Sequence, residues 1–474
     1  MNMKLNSSRT QNAISGGVLF FAVGIYAAVL NLGAGGGGVD AAHVNNIVAA
    51  VFYGVFGVTG TFGGSTLNTL GPRYTLMIGA FGYPFYVSGL WYFDYGPAKT
   101  SSEVYPIIGG AVVGFSAGLL WTVSNFIAFG YAPEHEKGTF FMIQNSLGGA
   151  GALVGAAVVL GVSLNDPTVH VTPQSVYATF LSLMMLGVGL AWFICKPEDV
   201  RHEGKPIAVF RHESWWNETK GIAMLFKDVR TLLVVPLLLN CEIPVTLQPT
   251  ISAYWFNLRT RSLCVFIGAI FEILGFMSMR MILDTEKLSR KARAYLGFAY
   301  MFTTLLAAYA GELGWMYTRP SGTFTQTNGV DWTDPGFAGF FVIFQLFQLS
   351  VTSVPMFISW LVMTITNEPM RVGRYAGLLK GGTASGIAAF FGVAASGTVS
   401  LQHQSIAQFV AQVGSALPVL YYIGKYVTET NYEVEKDVVF IPTHEAEILH
   451  LALPADSPRS SHTPISEEVV TDKH

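Results

Sequence analysis

Charged residues are scarce in this sequence. They make up 12% of its 474 residues, whereas soluble domains carry about 25%. Basic residues are not in excess and the net charge is −3, so the composition argues against nucleic acid as a partner. The three cysteines, Cys195, Cys241 and Cys264, lie in or beside apolar runs without metal-ligand spacing. We expect small buried side chains there, and neither a disulfide framework nor a metal site.

Long apolar runs dominate what is present. Hydrophobic residues make up 51% of the chain. The runs fall near 13–33, 44–66, 73–93, 105–131, 139–163, 175–195, 231–255, 262–283, 294–317, 337–366, 372–399 and 406–428. Most reach the ~20 residues that a helix needs to cross a bilayer. They are about twice the length of barrel strands and do not alternate in polarity. The sequence therefore predicts an all-α integral membrane protein with about 12 transmembrane helices in contact with the lipid bilayer.

Lysine and arginine are distributed unevenly between the predicted loops. With the N-terminus inside, seven basic residues fall in the inside loop 196–230 and four more in 287–293, while the outside loops carry Lys99, Arg259, Arg261 and Arg319. Positive residues favour the cytoplasmic side. We expect both termini in the cytoplasm; plasma membrane and endomembrane both stay open.

The polar stretch 196–230 divides the chain into two groups of six runs. The predicted organisation is an N-terminal six-helix half (1–195), a cytoplasmic linker (196–230), a C-terminal six-helix half (231–428) and an acidic tail (429–474) too poor in apolar residues to fold. Each half has a polar link between its second and third run, GGSTLNTLGPRYTL (63–76) and LDTEKLSRKARA (283–294). Such a repeat is typical of the major facilitator architecture.

Several stretches carry a more specific resemblance. They are LNLGAGGGGVDAAHVNN (30–46), GPRYTLMIGAFGYPFY (71–86), YAPEHEKGTFFMIQNSLGGAGALVG (131–155) and YWFNLRTRSL (254–263). With them the sequence resembles the uncoordinated-93-like branch of the major facilitator superfamily, in particular its fungal members. The fourth helix of this family usually has a Gln shortly after its Trp, whereas this chain reads WTVSNF (121–126) with Asn125 as the nearest amide. The resemblance implies the fold, and it implies either a transporter or a regulatory or trafficking partner of another membrane protein.

Two short enzyme-like patterns do not fit their surroundings. Residues 33–38 match GxGxxG, but an apolar run precedes them where a dinucleotide site needs a short strand. Residues 114–118 match GxSxG inside an apolar run, where a nucleophile elbow cannot form. Gly110, Gly114 and Gly118 recur every four residues and predict a helix-packing face. The sequence therefore predicts no cofactor and no enzyme activity.

Charges inside the predicted spans are the main candidates for function. Glu242, Glu272 and Lys380 each lie near the middle of a run, where a charge costs about 2.5–3.5 kcal/mol and usually faces the bundle interior. One interpretation is a charge or proton relay that couples to substrate passage; the other is a static ion pair that fixes helix packing. Arg280 and Glu312, near run ends, are expected to reach the interface.

Helix breakers and amides mark a possible cavity. Pro236, Pro244 and Pro249 crowd the seventh run, and broken helices at membrane depth usually line a cavity. The fold that the sequence resembles places spans one, four, seven and ten around its centre. The resulting candidate lining residues are Tyr26, Asn31, Trp121, Asn125, Asn240, Tyr254, Gln345 and Gln348. Packing within the bundle is the alternative for each of them.

The link Gly71-Pro72-Arg73 is a candidate gating loop. Gly and Pro predict a tight turn, and Arg73 could then bind carbonyls or an acid on a neighbouring helix and lock the outward-open state. The alternative is simple anchoring at the cytoplasmic side. Together these features predict a secondary transporter of an unidentified small molecule or ion that works by alternating access, with possible proton coupling. The alternative function is a non-transporting partner that regulates or escorts another membrane protein, and a membrane-embedded enzyme is a more remote one.

Overall fold

The structure is a computed structural model that describes residues 4–27, 39–96, 104–165, 174–202, 205–206, 214–320, 322–324 and 328–431. Asn31, the glycine-rich stretch 33–38 and tail residues 432–474 lie outside the described residues.

Two groups of long helices account for almost all of the regular structure. The N-terminal group comprises α1 (Ser8–Leu19, continued by a π-helical turn at Phe20–Gly24), α2 (Val39–Thr61), α3 (Gly63–Tyr95), α4 (Val104–Gly130), α5 (Lys137–Asn165) and α6 (Gln174–Ala191). The linker carries a short hairpin, β1 (Arg201–His202) with β2 (Lys205–Pro206), and the helix α7 (Trp215–Leu225). The C-terminal group comprises α8 (Val229–Asn240), α9 (Gln248–Trp255), α10 (Leu258–Leu283), α11 (Arg290–Tyr317), α12 (Phe337–Val362), α13 (Pro369–Ala395) and α14 (Leu401–Tyr426).

These helices confirm the predicted all-α membrane class. Within the described ranges, nine helical segments are long and apolar enough to cross a membrane. The bent pair Ile47–Thr61 and Gly63–Phe93, which meet at 80°, gives a tenth if it is counted as one span. Large apolar side chains such as Leu186, Met281 and Val410 are exposed on the outside of the bundle, as a surface that faces lipid requires. The count of twelve spans stays a prediction.

Two helices are interrupted where the sequence has Gly and Pro. Gly71 adopts φ 79° and ψ 164° within α3, a conformation that glycine takes without a steric penalty. The seventh predicted span is divided into α8, a 3₁₀ turn at Ile243–Thr246 and α9. Gln412 of α14 satisfies the carbonyls that this break frees, because its Nε2 donates to the oxygens of Asn240 (2.7 Å) and Cys241 (3.3 Å).

Small residues allow the two groups of helices to pack backbone to backbone. A Cβ atom added to Gly60 of α2 would lie 2.9 Å from Gly381 of α13, and one added to Gly381 would lie 2.2 Å from the backbone nitrogen of Thr61, also of α2. We call this contact the α2–α13 seam. A second contact joins α5 to α10, where Phe141 meets Phe276 with ring centroids 6.1 Å apart.

The predicted packing face on α4 is confirmed. A Cβ atom on Gly114 would lie 2.4 Å from the Phe52 oxygen, and one on Gly118 would lie 2.4 Å from Thr59 Oγ1, both on α2. The GxSxG pattern therefore lies within a helix that packs closely against its neighbour.

Candidate functional site

The central feature is an ion pair between Lys380 of α13 and Glu242 at the break after α8. Lys380 Nζ donates to Glu242 Oε1 at 3.0 Å. The Lys380 side chain is 10% exposed and the Glu242 side chain 22%, so the pair is largely withdrawn from the surface. At this degree of burial, the free energy of each charged side chain depends strongly on its partner, because an unpaired buried charge is costly.

The break in the seventh span positions Glu242. Its backbone has φ −115° and ψ 12°, which is not helical, and the 3₁₀ turn begins at the next residue. Cys241 beside it is held against α13, since its Sγ lies 3.3 Å from Thr383 Oγ1. A carboxylate in an unwound segment thus faces a lysine on a continuous helix.

An aromatic side chain of the N-terminal group packs against the lysine. The Nζ atom of Lys380 lies 4.4 Å from the Trp121 ring centroid, within the range of a cation–π interaction. Tyr26, two residues after the π-helical turn that continues α1, packs edge-on against Tyr83 and Tyr86 of α3, with ring centroids 5.3 and 5.5 Å away. The charge pair thus contacts Trp121 of α4, which belongs to the N-terminal group of helices.

Glu272 is not paired with Lys380. Its Oε1 accepts from Gln348 Nε2 of α12 at 3.1 Å, and its Oε2 would lie 3.7 Å from a Cβ atom on Gly149 of α5. The three predicted relay residues therefore form two separate contacts in this conformation. Lys380 and Glu242 meet beside the α2–α13 seam, whereas Glu272 and Gln348 meet at the α5–α10 contact.

The other predicted lining residues occupy different environments. Asn125 is buried and its Nδ2 has no hydrogen-bond partner among the described residues. Asn240 Nδ2 donates to the Pro236 oxygen at 2.9 Å, within its own helix. Gln345 Nε2 donates to the Cys264 oxygen at 3.3 Å. The oxygen of Tyr254 accepts from the loop amide of Asn328 at 2.7 Å. Only Trp121 of this set contacts the ion pair directly in the described part of the chain.

Arg73, after the turn at Gly71 and Pro72, joins two helices of the N-terminal group. Its Nε donates to the Ile194 oxygen at 2.7 Å, and its guanidinium lies 5.5 Å from the Trp192 ring centroid. These residues follow α6. The contact that Arg73 makes is therefore with a carbonyl at the end of a neighbouring helix.

One end of the bundle holds several contacts between the two groups of helices. We call it the linker face, formed by residues 63–73, 131–139, 214–228, 284–290 and 363–374. Asp284 Oδ1 accepts from the Gly138 N–H at 2.9 Å, at the start of α5. Lys137 Nζ donates to the Met363 oxygen at 2.8 Å. Burial raises the pKa of Asp284 to about 6, although hydrogen bonds from Thr139 and Gly138 oppose this shift.

The linker helix α7 contributes a buried carboxylate to the same face. Glu218 accepts from Arg374 Nε at 2.9 Å and Nη2 at 3.0 Å, and from Asn68 Nδ2 at 2.8 Å. The side chain of Glu218 is fully buried. It connects α3 of one group to α13 of the other. Trp215 and Trp216 lie on α7 with exposed rings.

The prediction for Glu312 is wrong, and the sequence analysis missed this residue as a candidate. Glu312 of α11 does not reach the interface; it is fully buried. Its carboxylate accepts hydrogen bonds from Gln248 Nε2 and from Ser405 Oγ, the latter at 2.5 Å. The position of Glu312 near the end of its predicted span indicated a side chain at the membrane interface. However, Glu312 shares the buried side of α11 with Leu305, Ala308 and Tyr309, and this helical spacing could have indicated that Glu312 is buried. Arg280 is exposed and donates to Thr139 Oγ1 at 2.9 Å.

The fold defines a class of protein, a membrane protein with the major facilitator fold. The chain is similar to a bacterial homologue of the iron transporter ferroportin in its outward-facing state (TM-score 0.62, 13% identity, 89% of this chain and 100% of that chain). It is also similar to the proton:xylose symporter XylE bound to 6-bromo-6-deoxy-D-glucose (TM-score 0.58, 16% identity, 89% and 96%). At such identities the likeness concerns the fold alone.

Sequence relatives identify the family. The chain is 33% identical to an uncharacterized membrane protein of Schizosaccharomyces pombe, over 86% of this chain and 82% of that protein. It is 27% identical to an UNC93-like protein of the same yeast (82% and 76%) and 28% identical to UNC93-like protein 1 of Arabidopsis thaliana (81% and 83%). No protein-family model matches the sequence. The chain is therefore a homologue of the UNC93-like (uncoordinated-93-like) proteins of yeast and plants, and its fold is the major facilitator fold.

Proposed function

We propose that this protein is a secondary transporter of a small molecule or ion that works by alternating access. The observation that carries the proposal is the ion pair between Lys380 and Glu242, at 3.0 Å. It lies where a broken helix meets a continuous one, beside aromatic residues of the other group of helices. In secondary transporters, broken helices and charges near the membrane midplane often mark the sites where substrates and coupling ions bind.

The pair supplies a mechanism for coupling. A charged group of the substrate competes with one partner of the pair, and Glu242 then moves with its unwound segment while Lys380 stays on α13. Protonation of Glu242 breaks the same pair by removing its negative charge. Each event alters the contact between the C-terminal group and Trp121 of the N-terminal group, 4.4 Å from Lys380 Nζ. Glu272 is proposed to act in the same way at the α5–α10 contact.

The linker face is proposed to be the cytoplasmic side, with both chain termini on that side. The distribution of lysine and arginine supports this orientation. Contacts through Asp284, Lys137 and Glu218 hold the two groups together at this face. The described conformation then corresponds to a state closed towards the cytoplasm. Arg73 is proposed to stiffen this end of the N-terminal group, so that it moves as one unit.

A second candidate function, an escort of another membrane protein, is favoured by one observation. Trp215 and Trp216 present exposed rings on α7, at 45% and 60%. Aromatic residues are enriched in protein contact surfaces, and Trp and Tyr are also enriched at membrane–water interfaces. Replacing both by serine leaves Glu218 in place. Loss of a stoichiometric partner from native membranes, with transport intact, would favour the escort function.

Transport by purified protein in lipid vesicles tests the main proposal. Uptake and charge movement are measured across a panel of ions and small metabolites, under a pH gradient. We expect a substrate-dependent signal that Lys380→Gln and Glu242→Gln abolish. Lys425→Gln and Asp199→Asn are matched controls and should retain wild-type rates, because Lys425 and Asp199 are exposed and lie outside the linker face. Equal rates in all four variants would contradict the assigned role of the pair.

A further inference from the structure

A second polar cluster lies inside the C-terminal group, in contact with the break in the seventh span. It consists of Thr246, Gln248, Glu312, Ser405 and Gln408, each of which is at most 4% exposed. These residues come from the 3₁₀ turn, α9, α11 and α14. The transport mechanism described above does not use them. We call this set the Glu312 cluster.

The carboxyl group of Glu312 has two neutral hydrogen-bonding partners. Gln248 Nε2 donates to Oε2, and Ser405 Oγ donates to Oε1 at 2.5 Å. Within the described residues, Glu312 has no ion pair with lysine, arginine or histidine. An ionised carboxylate that is fully buried without a cation costs several kcal/mol or more, so such a group normally becomes neutral.

The surroundings contain few groups that could offset a negative charge. Tyr309, on the same helix, is the titratable group that interacts electrostatically with Glu312, and its hydroxyl lies 3.5 Å from Gln408 Oε1. From α14, His403 is exposed and bonded to Ser400 Oγ. From the seventh span, Glu242 is engaged with Lys380. The described neighbours therefore favour the neutral acid.

The donor set fits a proton better than a metal ion. A sodium ion needs several free oxygen atoms around one point, as other hard cations do. Here Thr246 Oγ1 accepts from Gln408 Nε2 at 2.8 Å, and both carboxyl oxygens already have N–H or O–H donors. Among the described residues, no group of three or more His, Cys, Asp or Glu side chains could hold a metal ion.

The cluster is connected to the unwound segment that carries Glu242. Gln408 binds Thr246 at the end of the 3₁₀ turn, and Glu312 binds Gln248 at the start of α9. Gln412, one turn further along α14, binds the carbonyls of Asn240 and Cys241. The polar side chains of α11 and α14 thus hold both ends of the break. A change of charge at Glu312 would act on the backbone that positions Glu242.

We propose that Glu312 is a buried proton-binding site whose protonation state sets the geometry of the break in the seventh span. Uptake is the addition of one proton from water to the carboxylate, which gives a neutral acid without any change in oxidation state. The neutral acid keeps the segment 240–248 packed against α11 and α14. Release of the proton leaves a charge that requires water or a rearrangement of Gln248. The role in coupling rests on the proposed transport function, whereas the protonation itself does not.

Infrared spectroscopy of the full chain in lipid nanodiscs tests the site without any substrate. The wild type should show a protonated carboxyl C=O band near neutral pH that shifts in deuterated water, and Glu312→Gln should remove it. Glu286→Gln should leave the band unchanged. A spectrum of Glu312→Gln identical to that of the wild type would overturn the proposal. Loss of the band on addition of sodium chloride at constant pH would also overturn it, in favour of a cation site.

A second variant keeps the test valid if Glu312→Gln does not fold. Ser405→Ala removes the hydrogen bond to Oε1, and the C=O band should move to higher frequency because the carbonyl loses a donor. An unchanged frequency in folded Ser405→Ala protein would contradict the assignment. The transport assay tests a separate claim. If the vesicle assay showed no transport while the Glu312 band was present, the proposed transport function would be refuted and the proton-binding site would not.

Discussion

A single methyl group on the α2–α13 seam should change the conformational equilibrium. The Cβ atom of Gly381→Ala would lie 2.2 Å from the Thr61 backbone nitrogen and 2.4 Å from Thr61 Oγ1, whereas ordinary contacts begin at 3.4 Å. The two backbones must therefore separate by about 1.2 Å (3.4 − 2.2) in the closed linker face. Overpacking of this kind costs about 1–3 kcal/mol. Such a cost shifts a two-state population by about 5- to 150-fold.

Distances between spin labels at Leu70 and Leu288 measure this shift. Both residues are exposed on the linker face, one in each group of helices. The native Cys195, Cys241 and Cys264 are first replaced by alanine. We expect Gly381→Ala to increase the fraction of long distances.

Gly392→Ala is the matched control, because it lies on the same helix and a Cβ atom there has nothing within 4 Å. Its distance distribution should match that of the parent protein. A folded Gly381→Ala protein with the same distribution as the control would refute the idea that the seam closes and opens.

Three further predictions follow from the charged contacts. Lys380→Met and Glu242→Gln should each lower the free energy of unfolding by about 3 kcal/mol, because each leaves one buried charge without a partner. The double variant should lower it by less than the sum of the two single effects. Thermal unfolding in detergent measures these differences. Glu218→Gln should open the linker face, because Arg374 loses a charged partner; the Leu70–Leu288 distances report it, and no change would contradict the role of α7. Burial raises the pKa of Asp284 to about 6 from 3.8, so the closed face binds that proton more tightly than an open one. Closure should therefore be favoured as the pH falls from about 6 towards 4, and Asp284→Asn should remove the dependence.

The helices were predictable from the sequence because their determinants are local. A run of apolar residues in lipid must satisfy its own backbone hydrogen bonds, so it becomes a helix wherever it lies in the bundle. The breaks at Gly71 and near Pro244 were predictable for the same reason, since glycine and proline act on their own backbone. The packing stripe at Gly110, Gly114 and Gly118 followed from helical spacing.

Pairings between distant residues were only partly predictable. The sequence placed Lys380, Glu242 and Glu272 at similar depths, but depth does not show which helix faces which. The structure brings Lys380 to Glu242 and places Glu272 against Gln348. Glu312 was misjudged because its position near a helix end was taken as shallow depth, whereas the direction it faces decides its burial.

Reciprocal motion of the two ends of the bundle tests the central claim most directly. One spin-label pair is placed at Leu70 and Leu288 on the linker face. The other is placed at Val104, the first residue of α4, and Val399, in the loop between α13 and α14, and all four residues are exposed. Alternating access predicts two populations at each pair, with long distances at one face whenever the other is short. Gly381→Ala should move both pairs in opposite directions. A single fixed distance at both faces, in the parent protein and in Gly381→Ala, would contradict transport by alternating access.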